Sequence, residues 1–361
     1  MEDITKIPMF FILGRPRSGT TLLTTLFNAH PNVRIAPEFP IFLPLYQKFR
    51  KVKDWDEATI RSFVDHLYDK HKFNNRTLEN LKIDREQYTA DILEMQHKGN
   101  IQDFLKSINY HSFSLYEKKN TLLIGDKNPL YSIYAKRFLK IFPEAKFICI
   151  IRDYRDNFVS MKKLEELKLE APILTLQVYR WRYVLKLFIA CRKKYPGRFL
   201  IMKYEDLVTE QEKVFKELCE FTGIPFDPVV FDFYKKKEET MKAYNNPLVG
   251  KFHGNLMKPI NTGRMNLYKK DLTEKQIRMA DQVAGKYGDL LNYKKEYPGF
   301  NTGLWIKSRP LAIYGWIIFK LMVAASCMPY KMSLWFSLKS LILVKTYSRF
   351  FGEKALPGKN N

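Results

Sequence analysis

Between Met9 and Ala29 the chain passes from a short apolar run, MFFIL, through a glycine-bracketed turn into TTLLTTLFNA. Five apolar residues ending at Gly14 have the length of a buried strand, and Thr20 to Ala29 is long enough for a helix. Gly14 and Gly19 keep the spacing G-x-x-x-x-G, and Thr20 and Thr21 follow. A loop of this kind points backbone N–H groups and a helix N-terminus into one concavity, which favours an anion. Arg15 and Arg17 add guanidinium groups that can grip phosphate or sulfate oxygens in a forked manner. A chance glycine-rich turn is the alternative reading of the same residues.

Three more short apolar runs read as parallel-sheet strands: Thr121 to Gly125, Lys146 to Ile151 and Arg198 to Tyr204. Helical patterns separate them at Leu130 to Phe142, Thr175 to Lys194 and Glu210 to Phe221. Alternation of this kind predicts an α/β fold, a P-loop-type doubly wound parallel sheet flanked by helices. The polar, helix-prone stretch from Trp55 to Ser114 reads as a helical insertion that covers the site. After Gly303 the composition changes to an apolar, basic tail whose only acid is Glu353. Leu311 to Ala325 is apolar all round except for Lys320, and Met332 to Phe351 has a wide apolar face with a narrow serine stripe.

The chain has 361 residues, 46% of them hydrophobic, enough to bury a full core and to set disorder aside. A formal net charge of +23 points to an anionic partner: nucleic acid, an anionic membrane surface, or phosphorylated and sulfated ligands. No helix-turn-helix, RRM or zinc pattern supports nucleic acid, so none is expected as a partner. Cys149, Cys191, Cys219 and Cys327 are scattered and form no C-x-x-C pair, which reads as reduced thiols of a cytosolic protein. The opening MEDITKIPMFFILG lacks the basic start and long apolar region of a signal peptide. A cytoplasmic location is expected, peripheral at the inner face of a membrane if the tail lies there.

The loop departs from a nucleotidase at one informative position. A Walker A loop carries Lys where this one has Thr20, and that Lys reaches the β- and γ-phosphates of ATP. A nucleotide kinase or NTPase is therefore the second reading of the motif. No convincing acid at a strand end offers itself to Mg²⁺, and no metal is expected.

At these residues the sequence resembles the sulfotransferase superfamily, nearest the branch of the tyrosylprotein sulfotransferases. Pro16 to Leu22 reads PRSGTTL, the family's loop for the 5′-phosphosulfate. FICIIRDYRDNFVS matches the 3′-phosphate motif, an apolar strand followed by R-D-x-R and then a Ser eight positions after the first Arg, here Arg152, Asp153, Arg155 and Ser160. HPNVRIAPE ends in Glu38, at the position of that branch's catalytic base. GDKNP carries Lys127, matching a Lys that stabilises the transferring group, and MKPINTGR carries Lys258, matching a late Lys near the donor's 5′ side. YEDL at Tyr204 to Leu207 recurs in the family as well. These landmarks run in order over roughly residues 8 to 290. They imply a sulfotransferase domain over 1–303 and a helical tail over 304–361.

The resemblance implies 3′-phosphoadenosine-5′-phosphosulfate (PAPS) as donor and its product PAP, with a hydroxyl or amine acceptor, a lipid or glycan among the candidates. It implies that Arg15, Arg17, Ser18, Gly19, Thr20 and Thr21 hold the 5′ end, Arg152 and Ser160 the 3′-phosphate, and Lys258 adds charge near the 5′ side. Arg17, Lys127 and the backbone N–H groups of Ser18 to Thr21 would stabilise the leaving group, and Glu38 would take the acceptor's proton. An ordinary surface carboxylate is the alternative for Glu38, a surface ion pair with Asp153 or Asp156 the alternative for Arg152. His111 is a second candidate base, and His30 reads as structural. The branch's tandem acids become Pro37-Glu38 here, followed by Phe39, so a protein tyrosine acceptor is not implied.

For the tail three readings stand: lying in a membrane interface, spanning the bilayer, or serving as core or dimer surface. Spanning would place Lys320 near the bilayer centre at about 2.5–3.5 kcal/mol. The interface is the expectation.

Overall fold

A computed structural model describes residues 2–69, 81–162, 173–236 and 258–333. In chain order the main elements are β1 (Met9–Leu13), α1 (Thr20–Ala29), β2 (Val33–Ile35), α2 (Phe42–Phe49), α3 (Glu57–Asp69), α4 (Arg85–Leu93), α5 (Ile101–His111), β3 (Leu123–Lys127), α6 (Ala135–Ile141), β4 (Lys146–Ile151), α7 (Tyr154–Lys162), α8 (Leu174–Lys194), β5 (Phe199–Lys203), α9 (Gln211–Thr222), α10 (Glu274–Ala284) and α11 (Thr302–Ala325). Short helical turns fill several of the connections. The residues form two compact units, 1–151 with 188–263, and 152–187 with 264–361. The boundary read from composition at 303/304 falls at the start of α11.

The first unit holds a five-stranded sheet in the order β2-β3-β1-β4-β5, with every pair parallel. All five residues of β1 are buried, as expected of a central strand covered on both faces. Its adjacent phenylalanines define the two covering layers, because successive side chains point to opposite faces. Phe10 meets Phe27 of α1 with ring centroids 4.6 Å apart, and Phe27 meets Phe215 of α9. Phe11 meets Phe138 of α6 at 5.0 Å and Phe142 at 5.2 Å on the other side. Along that face it stacks on its register partner Phe147, which stacks on Phe199 of β5. Each such ring contributes about 1.5–3 kcal/mol by leaving water.

β1 and β4 sit where they were read, and β5 within a residue at each end. β3 does not: expected over Thr121 to Gly125, it covers Leu123–Lys127. Its register runs Met9↔Ile124 to Ile12↔Lys127, so the polar pair Asp126-Lys127 belongs to the strand. β2 was not expected at all. It is a three-residue edge strand with Arg34 at its centre, the kind of charged edge that gives no apolar run to read. Arg34 lies over the Tyr110 ring and donates to Thr121 Oγ1 and the Tyr110 carbonyl. The helix expected over Leu130 to Phe142 divides into a 3-10 segment, Pro129–Tyr134, and α6.

The insertion has its own small core. Trp55 stacks on Phe104 at 4.0 Å and packs beside Phe49 and Phe63. Its helix α5 docks on β3 through Asn109, which donates to the Gly125 carbonyl.

In the second unit α7 and α8 join α10 and α11. Tyr154 of α7 donates to Asp281 of α10 at 2.6 Å, and Trp181 of α8 donates to the Arg152 carbonyl. The tail helix α11 starts at Thr302, capped by Asn301, earlier than the sequence suggested. The second tail helix expected over Met332 to Phe351 lies almost wholly outside the described residues.

Candidate active site

β1 ends at Leu13, just before Gly14, and the sheet's strand order reverses beside it: chain order carries β2 and β3 to one side of β1, β4 and β5 to the other. In open α/β sheets the carboxyl ends of strands at such a point form the ligand crevice. Gly14 is pinned by Ser132, whose Oγ accepts from the Gly14 N–H and donates to the Gly14 carbonyl, each at 2.9 Å. A Cβ on Gly14 would stand 2.6 Å from the Ile150 carbonyl oxygen. Gly19 has φ 95°, and its Cβ would stand 2.4 Å from the Tyr204 ring. Arg17 also takes a positive φ, 66°, so the turn bends through the left-handed region twice.

The loop and the start of α1 supply the donor set that an anion needs. The first intrahelical bond runs from the Leu23 N–H to the Gly19 carbonyl, so Thr20, Thr21 and Leu22 have no helical acceptor. The first turn of α1 carries no acid. The Ser18 N–H donates to the Arg15 carbonyl at 3.1 Å and closes the turn. Arg15, Ser18 and Thr20 are buried, while Arg17 and Thr21 are partly accessible.

Lys127 ends β3 in register with Ile12, two residues before Gly14. Its Nζ donates to Glu38 Oε2 at 2.8 Å. The Lys127 side chain is buried and the Glu38 side chain is about half exposed, at 47%. The two residues that resemblance assigned to chemistry thus meet, one anchored by the sheet and one facing solvent. β2 delivers Glu38: its last residue, Ile35, pairs with Gly125 and brings the following segment to this end of the sheet.

Beside Lys127, Asp126 is buried. Asn109 donates to its Oδ2 at 3.1 Å, and its Oδ1 has no hydrogen-bond partner among the described residues. Burial pushes this carboxyl up to about 7, against the pull of the Asn109 hydrogen bond and the Lys127 charge. Sequence reading used GDKNP only for its Lys and passed over this acid.

His111 and His30 are both held by structural hydrogen bonds. His111 has both ring nitrogens engaged, Nδ1 with the Ser107 carbonyl and Nε2 with Asp91. His30 Nδ1 accepts from the Asn32 N–H and Nε2 donates to the Pro225 carbonyl, a turn-holding role.

In the second unit, Arg152 and Ser160 are buried in and just before α7. The acids beside Arg152 make further contacts of their own. Asp153 takes a forked pair of bonds from Arg155, at 3.0 and 2.7 Å. Asp156 accepts from the backbone N–H groups of Asn266 and Tyr268. Arg152 Nη2 donates to the Arg264 carbonyl, so the turn at Arg264 to Tyr268, inside and just after MKPINTGR, is fastened to the R-D-x-R motif. That anchoring role of Asp156 left no mark in the sequence. Lys258 is exposed at a bend before Pro259 in the first unit.

A parallel sheet with an anion-ready loop at its switch point and a carboxylate–lysine pair at the same end defines a group-transfer class of α/β protein. Residues 8–228 match the family model described as "Sulfotransferase family", and the chain belongs to that family. It is 24% identical over 282 residues to a protein-tyrosine sulfotransferase of Drosophila melanogaster, covering 76% of this chain and 50% of that protein. With protein-tyrosine sulfotransferase 1 of Danio rerio it shares 27% identity over 229 residues, 62% of this chain and 55% of that one. The chain thus spans about half the length of these curated relatives. Among solved structures, the sulfotransferase domain of the Synechococcus PCC 7002 olefin synthase aligns with a TM-score of 0.49 at 21% identity, over 78% of this chain and 96% of that domain.

Proposed function

We propose that this chain transfers a sulfuryl group from PAPS to a hydroxyl or amine acceptor. The observation that carries the reading is the Glu38–Lys127 pair at the sheet end where the Gly14–Gly19 loop opens. Transfer forms a bond between sulfur and the acceptor oxygen or nitrogen. It breaks the bond between sulfur and the bridging oxygen of the 5′-phosphate, leaving PAP. Glu38 takes the acceptor's proton, and its exposure suits a group that meets an incoming substrate. Lys127 and Arg17 face the charge that builds on the leaving oxygens, together with the N–H groups at the start of α1. A buried lysine is already desolvated, so its charge acts on the departing phosphate with little screening.

On this reading Arg152 and Ser160 hold the donor's 3′-phosphate, and Lys258 adds charge near its 5′ end. The burial of both residues, in and just before α7, supports it. The kinase reading loses its support, since Thr20 replaces the Walker lysine and is buried. We infer further that the acceptor is a lipid or glycan presented at an anionic membrane surface, with the enzyme at its inner, cytoplasmic face.

Calorimetry with PAP, ATP and adenosine 5′-phosphosulfate tests the donor. PAP should bind at least about tenfold more tightly than ATP. Arg17→Ala should weaken all three ligands, whereas Arg152→Ala should weaken PAP about tenfold or more and leave adenosine 5′-phosphosulfate, which lacks the 3′-phosphate, nearly unchanged. Equal loss on both ligands at Arg152, or a preference for ATP, would refute the assignment.

A further inference from the structure

α11 is long and apolar enough to cross a membrane by length and composition, about 36 Å at 1.5 Å per residue. Its packing argues against that. One side is built into the second unit: Ser308, Gly315, Ile318 and Phe319 are buried. Gly315 faces α8 so closely that a Cβ would lie 2.9 Å from Leu176 and 3.0 Å from Tyr179. Phe319 packs edge-on against Tyr183 of α8 at 5.0 Å, and the Arg180 guanidinium lies over the same ring. A bilayer-spanning α11 would drag α8 and its arginines into lipid.

The opposite side is uncovered and apolar. Trp305, Ile306, Ile313, Trp316, Ile317 and Leu321 are all exposed, Ile306 at 60% and Ile313 at 54%. Their spacing puts them on one broad stripe. Along it a pairing recurs after three turns. Arg309 lies over the Trp305 ring at 4.0 Å, and Lys320 over the Trp316 ring at 5.9 Å. Indole flanked by a long cation is the arrangement favoured at the headgroup level of a membrane. Lys307 and Lys331 are exposed too, and residues 304–333 contain no acid.

We propose that this stripe of α11 docks flat on an anionic lipid surface, tryptophans and isoleucines among the acyl chains and cations at the headgroups. Charge complementarity selects lipid over the other possible occupants. Two copies meeting through this face would oppose like charges, and residues 334–361, with five Lys or Arg against Glu353, would bring more of the same sign. The inference deepens the membrane-acceptor reading and rests on it for its purpose, but its test is independent of sulfuryl transfer.

The test is co-flotation of the full chain with vesicles of phosphatidylcholine alone or with 30 mol% phosphatidylserine. Partition should favour the anionic vesicles by about tenfold or more and weaken several-fold as salt is raised. Ile313→Ser/Trp316→Ser/Ile317→Ser should lower it about tenfold while calorimetric PAP binding persists. Should that variant not fold, Lys307→Glu/Lys320→Glu, at two exposed positions, should also lower it about tenfold. Alkaline carbonate should strip the wild-type chain from the vesicles. Equal partition to neutral and anionic vesicles, carbonate-resistant insertion, or a triple variant that changes oligomeric state and not vesicle binding would each overturn the proposal. Loss of PAP binding with flotation intact would count against the sulfotransferase reading and not against the docking face.

Discussion

At the scale of single residues the site pairs a buried cation with an exposed carboxylate, and the asymmetry suits the tasks proposed for them. Lys127 is held by the sheet and Glu38 is half exposed, as the proposed roles of leaving-group stabiliser and base require. Glu38→Gln should therefore lower kcat by about 10²–10⁴-fold with PAP affinity within about twofold of wild type. His111→Ala should leave turnover near normal, because both its ring nitrogens serve α4 and α5. Steady-state kinetics with labelled donor distinguishes the two, and the reverse pattern would move the base to His111. Asp126 makes a different prediction. Burial raises its folded-state value to about 7, so the folded chain holds a proton there that the unfolded chain releases near the ordinary carboxyl value of 3.8. Its contribution to stability is complete below that lower value and is lost as pH rises towards about 7. Asn109, Lys127, Glu38 and Tyr131 are the groups that feel this ionisation. Asp126→Asn never ionises, so its melting temperature relative to wild type should climb between about pH 4 and 7 and then level off. Three pH units cap the effect at about 4 kcal/mol. A pH-independent difference would show that the acid is charged throughout.

At the scale of elements, the loop between β1 and α1 depends on two absent side chains. Gly19→Ala would have to hold φ 95° and displace the Tyr204 ring, a cost of about 1–3 kcal/mol. It should lower the melting temperature by several degrees and weaken PAP by more than tenfold, read by calorimetry. A variant that kept PAP affinity would show that the loop geometry is not what holds the ligand. Much of this element was legible beforehand: β1, β4 and α1 lie at the residues read, because strands buried on both faces are unbroken apolar runs and the glycines mark their ends. β3 was not, since its last two residues are polar. Asp126 and Lys127 sit in a strand because their backbone pairs with Phe11 and Ile12, which no local pattern records. β2 escaped for the same reason, with Arg34 occupied by partners 76 to 87 positions away.

At the scale of the whole molecule, each of the two units carries one of the motifs proposed to hold the donor. A ligand that binds the folded chain should stabilise it by mass action, about 2.7 kcal/mol at a hundred times Kd. In thermal-shift measurements PAP should raise the melting temperature, and Arg152→Ala should abolish most of the rise. With +23 formal charges the shift should shrink as salt rises. A PAP shift that Arg152→Ala leaves intact would mean the second motif does not touch the donor.

The order of the main strands and helices, the loop between β1 and α1 and the family itself were all written in local patterns: apolar runs, glycine spacing, clustered arginines. Tertiary structure alone decided which charges meet. It joined Glu38 to Lys127 across 89 positions, closed the Ser18 N–H into the turn, and fastened the Arg264 turn to Asp156. It also laid one face of α11 on α8 and left the other bare. Hydrophobic periodicity is a property of neighbours along the chain, whereas a hydrogen bond or an ion pair depends on distances that only the folded backbone sets.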